Sequence, residues 1–277
     1  MNIAIADNFQ SLCREWRRFR QLSQLDLALA AEVSQRHVSW LETGRSHPSR
    51  DMVIRLSEAM NIPIRERNAL LKSAGFSAIY SESSLNDPVM VPVMNALNHV
   101  LKNHEPLPAV VVDRFWNVKK QNKAAQLLLN LGAADELQAR IMNQDGEINL
   151  ALLTLHPDGL RQYISNWDEA APAFIQRLKD EAAASGDPSV KETFARYIEA
   201  AGAISFGASK TPTTPGSLLP ILPLNLDIDG LKLSLFSVIS TFGTPQDITT
   251  DELRIEAFYP TDEATELFFK SMATEPQ

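Results

Sequence analysis

Between Arg14 and Arg50 the chain reads REWRRFRQLSQLDLALAAEVSQRHVSWLETGRSHPSR, and its side chains suit hydrogen bonding to bases and phosphates. Ser34 stands where its oxygen can cap a helix, and Gln35, Arg36, His37, Ser39 and Trp40 follow it. A guanidinium can bond guanine through two hydrogens, which suits Arg36, and an amide can bond adenine in the same way, which suits Gln35. Gln24, Ser39 and the free amides at a helix start suit phosphate oxygens. His37 lies beside the base-reading pair. Trp40 has two readings, as half of a core or as a contact to a thymine methyl or a sugar. A Gln-Arg-His run on a helix is often only a solvated face; its offset behind Ser34 is what favours base contact.

Contacts of this kind need two helices held at a fixed angle. Residues 10 to 75 read as short helices separated by compact turns, with Leu12, Trp16, Leu25, Leu27, Val33, Val38, Leu41, Val53, Leu56 and Leu70 available for one core. Ser23, Ser34 and Ser49 can cap new helices, and Pro63 marks a further start. Leu27 and Ala28 are expected to face inward, and Val33 to plug the turn between the helix after Ser23 and the helix after Ser34.

The segment resembles the phage-repressor-like, or XRE, helix-turn-helix family, whose signature S-Q-x-x-L-A followed by V-S-x-x-x-x-S-x-L-E-x-G-R is nearly met. The resemblance implies that Arg17 pairs with Glu42, that Gln24, Gln35, Arg36 and Trp40 face the groove, and that Arg45 and Arg50 lie near the DNA backbone. The ion pair could equally be only an intradomain brace, which is compatible with binding. The family usually has Gly where this chain has Gln21 and Glu32; a non-Gly residue with positive φ costs roughly 1 kcal/mol.

The net charge of −8 argues against a nucleic-acid partner until it is divided along the chain. Residues 1 to 75 carry 11 Lys and Arg against 8 Asp and Glu, whereas the remainder carries 15 against 26. The asymmetry fits a small anion-binding module joined to an acidic domain. Cys13 is the only cysteine, so neither an intrachain disulfide nor a thiolate zinc site is available. No apolar run approaches the roughly 20 residues needed to cross a bilayer, and MNIAIADNFQ lacks the pattern of a signal peptide, so a cytoplasmic location is expected.

At 277 residues, two domains are expected. They are placed at 1–76 and 92–277, with a serine-containing linker at 77–91. In the second, Pro92 to Lys102 reads as helix and PLPAVVVDRFWNV as strand, Asp-Arg turn, strand. Helices are expected over 120–131, 149–166, 168–185 (capped by Asp168, with Phe174, Leu178 and Ala182 on one face) and 188–201. Asp229-Gly230 reads as a hairpin turn before LKLSLFSVIS, followed by a strand over 252–259 and a helix over 261–272. The fold class is an all-α helix-turn-helix domain followed by an α+β domain.

The stretches PLPAVVVDRFWNVKKQNKAA, NWDEAAPAFIQRLKDEAAASGDP and STFGTPQDITTDELRIEAFYP resemble the C-terminal domain of MmyB-like regulators. That family implies a PAS-like domain, a five-stranded antiparallel sheet with helices over one face, that binds a ligand; a fatty-acid-like molecule is plausible for some members. Val110, Val112, Leu233, Leu235 and Phe258 on the sheet, with Trp116, Trp167, Phe174 and Leu178, would then line either an apolar pocket or a filled core. Asn122 and Asn166 could orient a ligand head group or merely cap local backbone.

The five histidines are dispersed, and no phosphate loop, nucleophile elbow or carboxylate pair is present, so no metal, cofactor or enzymatic activity is expected. Two readings remain: a homodimeric regulator on a two-fold site in double-stranded DNA, modulated by a small apolar ligand, or a constitutive regulator whose C-terminal domain only dimerises or binds a protein partner.

Overall fold

The computed structural model describes residues 8–132, 141–143, 145–202 and 221–274. Two units are present. One takes the chain up to Ser84 with Ala183–Ser189 and Thr244–Asp251; the other takes Leu85–Ala182, Val190–Gly243 and the chain from Glu252.

The first unit contains α1 (Phe9–Phe19), α2 (Gln24–Ala30), α3 (Gln35–Thr43), α4 (Arg50–Ala59) and α5 (Ile64–Ser73). The serines cap as expected. Ser23 Oγ accepts from the Asp26 amide while the Asp26 carboxylate accepts from the Ser23 amide, and Ser34 and Ser49 accept from the amides of His37 and Met52. Phe9, Cys13, Trp16, Leu27, Ala28, Val38, Leu41, Val53, Leu56 and Leu70 are buried together, with Val33 packed against them. Leu25 does not join this core; it is 50% exposed. The reversals after α1 and α2 place Gln21 at φ 56 and Glu32 at φ 53, the left-handed region that the resemblance implied. Each is held by a backbone bond from the next residue, Leu22 to the Arg17 carbonyl and Val33 to the Ala28 carbonyl.

The part of the expected linker up to Ser84 is tied down within the same unit, and the rest, from Leu85, belongs to the second. Asn68 on α5 accepts from the amides of Ile79 and Tyr80 and donates to the Tyr80 carbonyl. One oxygen of Asp247 accepts from both Ser81 and Ser83 hydroxyls at 2.8 Å.

The second unit holds α6 (Val91–His104), β1 (Ala109–Val112), β2 (Val118–Gln121), α7 (Lys123–Gly132), α8 (Leu150–Leu155), α9 (Trp167–Ser185) and α10 (Pro188–Ala200). It continues with β3 (Leu224–Ile228), β4 (Leu231–Ser240), β5 (Arg254–Pro260) and α12 (Glu263–Thr274); α11 (Ile248–Glu252), just before β5, belongs to the first unit up to Asp251. The strands form an antiparallel sheet in the order β2-β1-β5-β4-β3. This is the α+β, five-stranded arrangement expected.

Register decides which side chains meet. Val110 lies opposite Glu256, so Val110, Val112, Glu256 and Phe258 share one face and Ala109, Val111, Ile255 and Ala257 the other. The first face is covered by α7, α8, α9 and α10. The second is covered too: Leu97 and Leu101 of α6 pack on Ala109, Val111 and Ala257, so helices are not confined to one face.

Several local expectations need correction. The β1–β2 reversal spans Asp113–Asn117 rather than an Asp-Arg turn, because one Asp113 oxygen accepts from the amides of both Phe115 and Asn117. The helix expected over 149–166 stops at Leu155, since the residue before Pro157 is driven out of the helical region. Gly159 then approaches so closely that a β-carbon there would sit 2.2 Å from the Leu153 oxygen. Asp168 lies inside the first turn of α9; the Asn166 carbonyl takes the first amide bonds. The Asp229-Gly230 hairpin stands as expected, with φ of 52° and 89° matching a type I′ turn.

Candidate nucleic-acid interface and ligand cavity

The helix α3 follows Ser34, and its leading polar side chains, Gln35 and Arg36, are exposed; Ser34 itself is exposed, and His37, Ser39 and Trp40 are half-buried. The Arg36 guanidinium lies 4.4 Å from the centre of the Trp40 ring one turn on. Arg45 and Arg50 are exposed, and Arg50 also approaches the Phe76 ring. A helix with exposed leading donors can enter a major groove.

That helix is held by a buried charge cluster. Arg17 Nε and Nη2 donate to the two Glu42 oxygens at 2.6 and 2.9 Å, Arg17 Nη1 donates to the Leu22 carbonyl, and Arg14 donates to the Glu42 carbonyl. Gln24, expected to face the groove, instead donates its amide to Glu42 Oε2 at 2.9 Å, because that carboxylate is buried and needs a further donor. Burial raises the Glu42 pKa, but the Arg17 and Gln24 hydrogen bonds and the guanidinium charges outweigh it, so the net direction is down. The Glu42 hydrogen bond raises that of Arg17 further. Cys13 beneath the cluster is pushed up to about 12, first by burial and then by the Glu42 charge, and remains a thiol.

In the second unit a cavity of about 250 Å³ lies between the sheet and α7, α8 and α9. Trp116, Trp167, Phe174, Leu235 and Phe258 border it, as expected for a ligand site, together with Val110. Trp116 meets Phe174 edge to face at 5.0 Å. The charged side chains bordering it are Arg177 and Glu256. Arg177 donates to Glu181 and to Glu256 Oε1, each at 3.1 Å, and stacks on Trp116 at 4.3 Å; Glu181 also accepts from Trp116 Nε1 and from Arg254.

The family model described as the MmyB-like transcription regulator ligand binding domain matches residues 93–272, and a helix-turn-helix model matches 14–67. The chain belongs to the MmyB-like transcription regulators. It therefore carries a helix-turn-helix module and a regulator ligand-binding domain. No curated protein matches it. Among solved structures it is similar to an RNA-binding light-oxygen-voltage receptor at 11% identity over 95% of this chain, with a TM-score of 0.24; the chain spans 63% of that receptor's length.

In this MmyB-like domain, three residues expected at the ligand do not border the cavity. Asn122 Oδ1 accepts from the amides of Ala109 and Ala125, and its nitrogen donates to the Leu107 carbonyl, so it ties β1 to the start of α7. Asn166 donates to the Pro223 carbonyl and accepts from the Asn225 amide, fixing the start of β3. Val112 is buried in the core further along β1. Conversely, Arg177 and Glu256 were not singled out by sequence; the available signal was a Glu at the position of RIEAF whose neighbours two away, Arg254 and Phe258, share its face. Among the described residues no group of three or more His, Cys, Asp or Glu could hold a metal, and no helix is long and apolar enough to cross a membrane.

Proposed function

We propose that this regulator binds a two-fold DNA site as a homodimer, with Gln35 and Arg36 reading bases in successive major grooves, and that a small apolar ligand in the cavity modulates it. The observation that carries the DNA half is the exposed start of α3, where Arg36 is oriented by Trp40 and the helix is braced through Glu42 to Arg17. His37 and Ser39 flank these, and Ser34, Arg45 and Arg50 are available to phosphates, where basic side chains and helix amides supply affinity without sequence information. With Gln24 engaged by Glu42, its place is in the brace. A single helix-turn-helix contacts one half-site, and a dimer contacts two about one helical turn apart. Work on DNA suits a cytoplasmic location.

The cavity supports the modulation half, because its walls are mostly apolar, with Thr154, Ser237, Arg177 and Glu256 as the Thr, Ser and charged side chains among them. Selecting binding sites from a pool of random duplexes with the full-length protein tests the whole reading. The expected result is an inverted repeat with half-sites about 10 base pairs apart. Recovery of no preferred sequence would remove base reading. A protein that selects the same site with unchanged affinity whatever occupies its cavity would instead be the constitutive regulator.

A further inference from the structure

The fifth helix of the helix-turn-helix unit has no cap of its own. α5 begins after Pro63, which offers no side-chain acceptor, and the Ile64 amide donates instead to Asp251 Oδ2 at 3.3 Å. Asp251 lies 187 residues further along, in the connection between β4 and β5. The same connection holds the stretch after α5. Asp247 Oδ2 accepts from the Ser81 and Ser83 hydroxyls and the Ser83 amide, the Ile248 amide donates to the Ser81 carbonyl, and Thr249 Oγ1 donates to the Ser83 carbonyl. Residues 244–251 fall inside the match to the ligand-binding domain, yet they complete the helix-turn-helix unit.

The chain leaves that unit without slack. Glu252 pairs with Arg114 at 3.0 Å, Leu253 is buried with Leu97, Leu101 and Val111, and Arg254 then opens β5, the strand that carries Glu256 and Phe258 to the cavity. Two residues of extended chain span at most about 7 Å, so a shift of the β5 start is passed on to Asp251 rather than absorbed. At the other end, Leu70 and Leu71 of α5 share a core with Trp16 of α1, the helix whose Arg17 holds Glu42 of α3. We infer that Asp247 and Asp251 are positioning residues, which make the β4–β5 connection a tie through which the cavity wall acts on the helix-turn-helix. This rests on the regulatory reading above and gives it a route, whichever ligand fills the cavity.

Hydrogen exchange of the full-length protein, followed by mass spectrometry, reads the tie with neither DNA nor ligand present. Phe258→Leu trims the cavity wall and should speed exchange of the α5 amides at 64–67 about threefold or more. Asp251→Ala removes the cap and should speed the same amides about fivefold; in that background Phe258→Leu should add less than about 1.5-fold. A cap with a merely structural role would let Phe258→Leu act equally in both backgrounds, and that result overturns the inference. So does a Phe258→Leu protein whose amides at 64–67 exchange as in the wild type. By reciprocity, Asp251→Ala alone should speed exchange at 254–258 about twofold or more, which decides the matter where Phe258→Leu does not fold; unchanged exchange there overturns the tie. Failure of the regulatory reading shows separately, in the duplex selection.

Discussion

Two buried Arg–Glu pairs in this chain differ in one oxygen. In the helix-turn-helix unit both Glu42 oxygens accept hydrogen bonds, from Arg17 at each and from Gln24 at Oε2. In the ligand-binding domain Glu256 uses one oxygen on Arg177 and turns the other toward no protein donor, beside a cavity. The same chemical pair is therefore fully bonded in one unit and short of one donor in the other. Buried polar networks that are complete hold one geometry, whereas an incomplete one invites a partner.

The contrast can be broken most forcefully at the closed pair. Arg17→Ala strands the Glu42 carboxylate in the core and should destabilise the protein by about 3 to 5 kcal/mol in urea unfolding. A loss below about 1 kcal/mol would mean that the cluster behaves as a surface pair. The same variant tests the pH dependence. Because folding lowers the Glu42 pKa, its contribution is full above the ordinary carboxylate range near 4.3, and it is lost as pH falls through the lower folded value. The stability gap between wild type and Arg17→Ala should therefore be greatest at neutrality and shrink as pH falls, first as the carboxylate stranded in the variant takes up a proton and then as wild-type Glu42 does.

Smaller effects sharpen the comparison. Gln21→Gly and Glu32→Gly relieve left-handed backbone at φ 56 and 53 and should each stabilise by up to about 1 kcal/mol, read from thermal melts. The gain is partly offset by the greater freedom of glycine in the unfolded chain. Glu256→Gln retains an oxygen for Arg177 and should shift stability by less than about 1 kcal/mol, unlike any disruption of Glu42. Cys13, with its pKa pushed up to about 12, should resist thiol reagents until the protein unfolds.

What could be read in advance followed the range of the interaction. The capping serines and the polar start of α3 are local signals, so Ser23, Ser34, Gln35 and Arg36 were legible within a few residues. The family signature supplied the Arg17–Glu42 pair, which lies 25 residues apart, and the left-handed positions at Gln21 and Glu32. Arg177 and Glu256 lie 79 residues apart and meet only because β5 pairs with β1 in one register, a relation that periodicity along either segment does not carry. Asn122 and Asn166 were open to two readings because an amide near a helix start can serve a ligand or the backbone, and in both the backbone took it. Gln24 sits where the family reads the groove, but the buried carboxylate beside it claims its amide first.

The central claim is that Arg36 reads a base. The decisive measurement is the affinity of Arg36→Ala for a selected site and for a scrambled duplex at one salt concentration. The account expects a loss of about 1 to 3 kcal/mol on the selected site, with relaxed preference at a single base position, and a markedly smaller loss on the scrambled duplex. An equal loss on both would assign Arg36 to the phosphates and contradict it.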